Sequence, residues 1–176
     1  MVEEQLDQLK YPIGHFKFPG GYDEATRSKL KKSIGELPAK LRAATENLSE
    51  EQLNLHYRPG GWTIRQVVHH VADSHLNSII RFKLALTEDT PSIKPYDEAA
   101  WAELRDTAVT PIEVSLKLLE ALHTRWINLL DGFSEKEWQK KAYHPERKAE
   151  MALEEFLGLY AWHGEHHLAH VNQALK

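Results

Sequence analysis

A chain of 176 residues with 41% hydrophobic side chains fits one globular domain spanning residues 1–176 and carries enough apolar surface for a packed core. Its formal charge of −4 offers no basic excess to gather phosphates, so no nucleic-acid partner is expected. No stretch reaches the roughly 18–20 continuous apolar residues of a membrane span. The opening MVEEQLDQLK also lacks a basic-then-apolar leader, so no membrane partner and a cytoplasmic location are expected. The absence of cysteine removes disulfides, thiolate ligands and any thiol nucleophile of the protein's own, which leaves eleven histidines and the carboxylates as metal ligands.

In chain order, a first long helix is predicted from Asp23 to Glu46, disturbed locally by Pro38. Capping-box spacings occur at Ser49 with Gln52, Thr63 with Gln66, Thr110 with Glu113 and Ser134 with Glu137. The turn Arg58-Pro59-Gly60-Gly61 leads into a second long helix, Thr63 to Leu86. Thr90 to Tyr96 reads as a loop, followed by a short helix from Glu98 to Leu104 and a third long helix from Pro111 to Leu130. A helical turn at Ser134 to Lys140 precedes His144-Pro145, and the fourth long helix runs from Ala152 to Ala174. Strand signals are nearly absent and no fixed-period repeat is visible, so the fold class is all-α, a four-helix bundle with short accessory helices.

At 100° per residue the second helix places Ile64, Val67, Val68, Val71 and Phe82 on one apolar face, and Ala72, Leu76 and Ile80 on a second. Between them runs a polar stripe, Gln66, His70, Ser74, Asn77 and Arg81, as expected of an internal site. The fourth helix has Leu153, Phe156, Leu157, Tyr160, Leu168, Val171 and Leu175 on its core face, with His163 and His167 at its edge. Two imidazoles at i, i+4 can converge on one ion at about 2.0–2.1 Å, with a third ligand from a facing helix, here His70. His166 and His170 share the spacing but are rotated towards water. In His163-Gly164-Glu165-His166-His167 the glutamate stands two places after the first histidine rather than one, so this is not the zincin signature, and Glu165 is expected to face solvent.

Three neutral imidazoles leave coordination positions open, the pattern of a catalytic zinc site, and nickel, cobalt or iron would also fit. An open position could serve hydrolysis or thiol transfer. Against this stand simpler readings. The His163 and His167 pair could be surface residues near a helix end, His69 points away from the stripe, and His75 is expected to be a hydrogen-bonded core histidine. Asp73 is a weak choice for supporting a ligand histidine. The five tryptophans read as core residues, and Arg81 is either an ordinary surface charge or a pocket residue for an acidic group.

The chain resembles the DinB/YfiT-like superfamily of four-helix metalloproteins over nearly its full length. The likeness is carried by Tyr11-Pro-Ile-Gly14, the run from Tyr57 through Trp62 to His75, Arg81-Phe-Lys-Leu84, Pro95-Tyr-Asp-Glu98, Tyr143-His-Pro145 and Gly158 to His170. The resemblance implies that His70, His163 and His167 are the ligands of one divalent ion per chain, zinc or nickel. Gln66 stands where the superfamily often has glutamate. It further implies a metal-dependent S-transferase that joins a low-molecular-weight thiol such as bacillithiol to electrophiles, as in detoxification. With no cysteine in the chain, that thiol must come from outside.

The expected protein is therefore a cytoplasmic homodimer in which Arg81 helps seat the thiol. The alternatives are a metal-dependent hydrolase using metal-bound hydroxide, and a non-catalytic metal- or ligand-binding stress protein. The loops Thr90–Tyr96 and Tyr143–Arg147 are candidates to cover the pocket.

Overall fold

The computed structural model describes residues 3–176. After a short helix α1 (Glu3–Lys10), the four long helices fall within a residue or two of their expected limits: α2 (Glu24–Thr45), α4 (Ile64–Thr87), α7 (Ile112–Leu130) and α9 (Leu153–Ala174). Local chemistry explains most of the starts. The Asp23 side chain accepts the Thr26 N–H to cap α2, and reciprocal boxes form at Ser49 and Gln52 before α3 (Glu50–Leu53), at Thr63 and Gln66 before α4, and at Ser134 and Glu137 before α8 (Glu135–Trp138). The expected box at Thr110 and Glu113 does not form. Pro111 occupies the cap position, Thr110 ends the preceding helix, and Glu113 accepts from Arg42 at 2.6 Å to tie α7 to α2.

Contacts give the directions of the bundle. Lys31 pairs with Asp131 and Arg42 with Glu113, so α2 and α7 are antiparallel; Arg81 meets Tyr160 while His70 meets His163, so α4 and α9 are antiparallel too. By the same logic His69 with Ser115 and His75 with His123 make α4 and α7 parallel, and Tyr22 against Gly158 with Leu37 against Gly164 makes α9 run parallel to α2. A chain leaving the end of α4, about 36 Å long at 1.5 Å per residue, must therefore travel back along the bundle before starting α7. Residues 88–111 do this. They contain α5 (Glu98–Ala102) and α6 (Arg105–Val109) in place of the single expected helix Glu98–Leu104.

One element was not expected. Strands β1 (Lys141–His144) and β2 (Ala149–Ala152) form an antiparallel hairpin, with Lys141 opposite Ala152 and His144 opposite Ala149. Each is four residues long, too short to show alternation. What orders them is tertiary: Ala142 and Met151 are buried in the core, and Tyr143 exchanges backbone hydrogen bonds with Pro91 and Ile93. The two loops expected to lie over a pocket are thus joined to each other.

The apolar interior is in two parts. One cluster includes Ile34, Ile79, Phe82, Trp126, Phe156 and Tyr160; the other includes Leu37, Leu41, Val68, Leu116, Leu119 and Val171. The division falls between Ile34 and Leu37 on α2, Ala72 and Ile79 on α4, Leu119 and Leu122 on α7, and Ala161 and Leu168 on α9; His75, His163 and His167 lie within it and His123 beside it. The second apolar face expected on α4 is only partly used: Ala72 is buried, but Leu76 and Ile80 are 39% and 47% exposed.

Gly164 lets α9 approach α2 beside this layer, since a Cβ there would lie 2.5 Å from Cδ2 and 3.3 Å from Cγ of buried Leu37. Replacing a helical glycine by alanine gains about 1 kcal/mol of helix propensity, whereas overpacking costs about 1–3 kcal/mol. Urea denaturation is expected to find Gly164→Ala destabilised by about 1 kcal/mol. In a Leu37→Ala background, where the clash is gone, the same change should be neutral or stabilising. Equal effects in both backgrounds would show that the two helices do not meet here.

Candidate metal centre

His70 from α4 and His163 and His167 from α9 converge. Their nearest ring nitrogens all lie within 4.8 Å of one another, and Nε2 of His70 is 3.2 Å from Nε2 of His163. The helix spacing brings the latter two side by side, with ring centres 4.5 Å apart, and the antiparallel α4 presents His70 to both. His70 and His167 are buried and His163 keeps part of its surface open. Loss of hydration holds all three imidazoles neutral: His70 is pushed down to about 4, and His163 and His167 lie well below the ordinary histidine range. The N–H of one neutral ring spans the 3.2 Å gap in the metal-free protein, and an ion in its place would take the lone pairs instead. The donor set therefore fits a divalent cation of borderline softness, with further coordination positions left for other ligands.

Trp62 lies over this cluster, its ring 4.6 Å from that of His70 and 6.2 Å from that of His167. It is placed by the Arg58–Gly61 turn, in which Gly60 takes a φ of +66° that side-chain-bearing residues rarely adopt. Trp62 is thus not simply a core residue. It also lines a groove of about 580 Å³ with His56, Gln66, Glu103 and Thr107. Gln66 itself is structural, donating to the Ala102 carbonyl and the Glu103 carboxylate of the crossover.

The rest of the polar stripe extends away from the cluster. Arg81 donates to the Tyr160 hydroxyl at 2.7 Å, one helical turn from His163, and also to the Lys94 carbonyl. Its charge works against the burial that raises the Glu98 carboxyl. Tyr96, Glu98 and Glu146 line a second depression, of about 630 Å³.

Several expectations change. His166 and His170 do not face water; both are buried. Trp162 stacks on His166 at 4.5 Å, Tyr57 stacks on His170 at 3.8 Å, and the His170 Nε2 donates to the carbonyl of Lys10, the last residue of α1. The helix would expose this face, but the N-terminal segment and the loop before Trp62 cover it. With His167 these two make a second histidine group of metal-binding dimensions. Glu165 is not free in solvent but bonds Ser33 and Lys40 of α2. Asp73 makes no hydrogen bond to a histidine, its carbonyl taking Asn77 instead. His69, expected to point away from the stripe, is buried and bonded to Ser115 and the Thr110 carbonyl.

His75 is fully buried, as expected, but not merely a core residue: its Nε2 lies 3.2 Å from Nδ1 of His163 and its Nδ1 lies 2.9 Å from Nε2 of His123. His123 Nδ1 in turn donates to the carbonyl of Ile34 at 2.7 Å. Nothing in the sequence around His123 marks it, because it stands alone on α7.

An all-α bundle carrying an inward-facing three-histidine cluster open on one side is the class of protein this geometry defines. The DinB superfamily model matches residues 34–171, and the chain belongs to that superfamily. It is 48% identical over 165 residues to the protein named "Putative metal-dependent hydrolase YfiT" of Bacillus subtilis, covering 94% of this chain and 93% of the relative. To the "Putative metal-dependent hydrolase" of Bacillus cereus strain 03BB102 it is 49% identical, covering 97% and 98%. The solved structure of YfiT from Bacillus subtilis, described as having an unusual four-helix bundle topology, superposes with a TM-score of 0.93 over 95% of each chain.

The depressed histidines set a pH dependence. Their folded pKa values lie below the unfolded value near 6.5, so the unfolded chain binds protons first as pH falls. Their contribution is intact above pH 6.5 and is lost on going down towards about 4. For His70 and His123 the slope approaches about 1.4 kcal/mol per pH unit each. The urea midpoint of metal-free protein should therefore fall steeply from about pH 6.5 down to about 4; a flat midpoint would mean these rings are hydrated.

Proposed function

We propose that this protein is a metal-dependent enzyme, with His70, His163 and His167 as ligands of one zinc or nickel ion per chain, that transfers a low-molecular-weight thiol to an electrophile. The observation that carries the reading is the convergence of three neutral imidazoles, one of them only partly buried. A divalent ion held there supplies Lewis acidity that lowers the pKa of a thiol or water reaching it. The chain has no cysteine to provide the sulfur, so the thiol is a second substrate.

The protein's own residues bind and orient. Trp62 offers an aromatic face beside the cluster, and the Arg81 guanidinium, steadied by the Tyr160 hydroxyl, offers a fixed positive charge for an acidic thiol such as bacillithiol. The hairpin is tied to the 91–93 segment through Tyr143. In the transfer the sulfur forms the new S–C bond, the thiol proton leaves to water, and the leaving group departs with its bonding pair.

The names of the relatives favour a second reading, hydrolysis at the same centre, in which water replaces the thiol. A non-catalytic metal- or ligand-binding stress protein is the third, and it predicts tight metal binding without turnover. A homodimer, with a second copy covering Leu76 and Ile80, and a cytoplasmic setting complete the proposal; no helix among the described residues is long and apolar enough to cross a membrane.

The assay is loss of thiol with a model electrophile, using zinc- and nickel-loaded protein and a panel of bacillithiol, mycothiol, glutathione and 2-mercaptoethanol. Metal-dependent acceleration is expected, and a rate unchanged for every thiol would sink the transferase. Incorporation of labelled water from ester, amide or phosphate substrates without thiol would establish the hydrolase instead. Because a hydrogen bond to a charged group contributes about 1.5–3 kcal/mol, Arg81→Gln should raise KM for the acidic thiols about tenfold or more and leave 2-mercaptoethanol unaffected.

A further inference from the structure

Pro38 stands inside α2, where its missing N–H leaves the carbonyl four residues earlier, that of Ile34, without its helical partner. The helix nevertheless continues to Thr45, because the Nδ1–H of His123 on α7 takes that carbonyl at 2.7 Å. This bond has a direction that propagates. A carbonyl only accepts, so His123 must carry its proton on Nδ1, and in the neutral ring Nε2 is then a lone pair. The partner at 2.9 Å, Nδ1 of His75, must donate to it, which leaves Nε2 of His75 as an acceptor. Nδ1 of His163, at 3.2 Å, donates in turn. The last free position is Nε2 of His163, left as a lone pair facing His70.

We propose that Pro38, His123 and His75 form a relay anchored on the Ile34 carbonyl that holds His163 in the one tautomer able to bind a metal through Nε2, making His75 and His123 positioning residues of the centre. The inference rests on the reading of His70, His163 and His167 as ligands. A second relay supports it from the other side. The Lys10 carbonyl accepts from Nε2 of His170, so Nδ1 of His170 is an acceptor for Nδ1–H of His167 at 3.4 Å, and His167 likewise presents Nε2. On this account His170 orients a ligand and is not one, and the group His166, His167 and His170 takes no second ion, because Nδ1 of His167 is already engaged. Partners of this kind change metal affinity by about 10–100-fold when removed.

The test uses the full-length chain labelled with 15N-histidine and loaded with zinc. Long-range proton–nitrogen correlation spectra read the tautomer of each ring, and a chelator competition gives the zinc Kd of the parent and of His123→Phe, which keeps the core filled. Expected are Nδ1–H tautomers at His75, His123 and His163, one zinc per chain, and a Kd raised about tenfold or more in His123→Phe.

An Nε2–H tautomer at His75 or His163, or an unchanged Kd in a folded variant, overturns the relay while the ligand reading stands. A second zinc at His166 and His170 overturns the second relay. A parent chain that takes up neither zinc, nickel nor cobalt overturns the ligand reading, and this one with it. Should His123→Phe fail to fold by circular dichroism, the tautomers of the parent decide the question alone.

Discussion

A neutral imidazole has one donor and one acceptor, and this bundle packs several of them edge to edge between two apolar cores where water cannot make up a deficit. Nδ1 of buried His166 has no hydrogen-bond partner among the described residues. His75, His123 and His163 in one chain of rings, and His167 and His170 in another, do each find a partner of the right sense, because each chain ends on a group of fixed polarity. Two backbone carbonyls serve, Ile34 for one chain and Lys10 for the other. The first is available because a proline interrupts the hydrogen bonding of its helix. What would elsewhere be a defect costing about 3 kcal/mol becomes the point from which the polar layer is ordered.

The topology follows from the same layer. Histidines on α4, α7 and α9 have to meet at one level, yet α4 and α7, successive long helices, lie parallel. The chain must return the length of the bundle between them, and this long crossover gives α5, α6 and the 91–93 segment. The hairpin before α9 pairs with that segment, joining two stretches distant in sequence. Gly164, beside His163, lets α9 lie close enough to α2 for the layer to close, and Glu165 then ties the same turn to Ser33 and Lys40.

The site separates binding from support. His70, His163 and His167 turn their nitrogens towards one another, with the Trp62 ring over His70 and His167. His75, His123 and His170 lie behind them, away from any ligand. Arg81 and Tyr160 continue the polar stripe from His163 towards the Lys94 carbonyl.

The long helices were legible from the apolar faces of α4 and α9 and from the local start signals of two of the four, at Asp23 and at Thr63 with Gln66. The convergence of His163 and His167 was legible too, since i, i+4 neighbours on a helix must share a face. The β-hairpin was not, because four-residue strands hold no pattern and gain their order from Pro91, Ile93 and the core. The burial of His166 and His170 was equally hidden: a helical wheel assigns a face but cannot know that α1 and the Tyr57 loop will cover it.

His123 is the clearest case. The sequence by itself determined four long helices, a proline inside the first of them, an internal polar stripe on the second and a histidine pair on the fourth, because these are local properties of spacing and covalent structure. Which histidine would take the Ile34 carbonyl, and so which nitrogen of His163 would be left free, was decided only when α2, α7, α4 and α9 packed together, because a hydrogen bond between helices depends on distances that no local pattern contains.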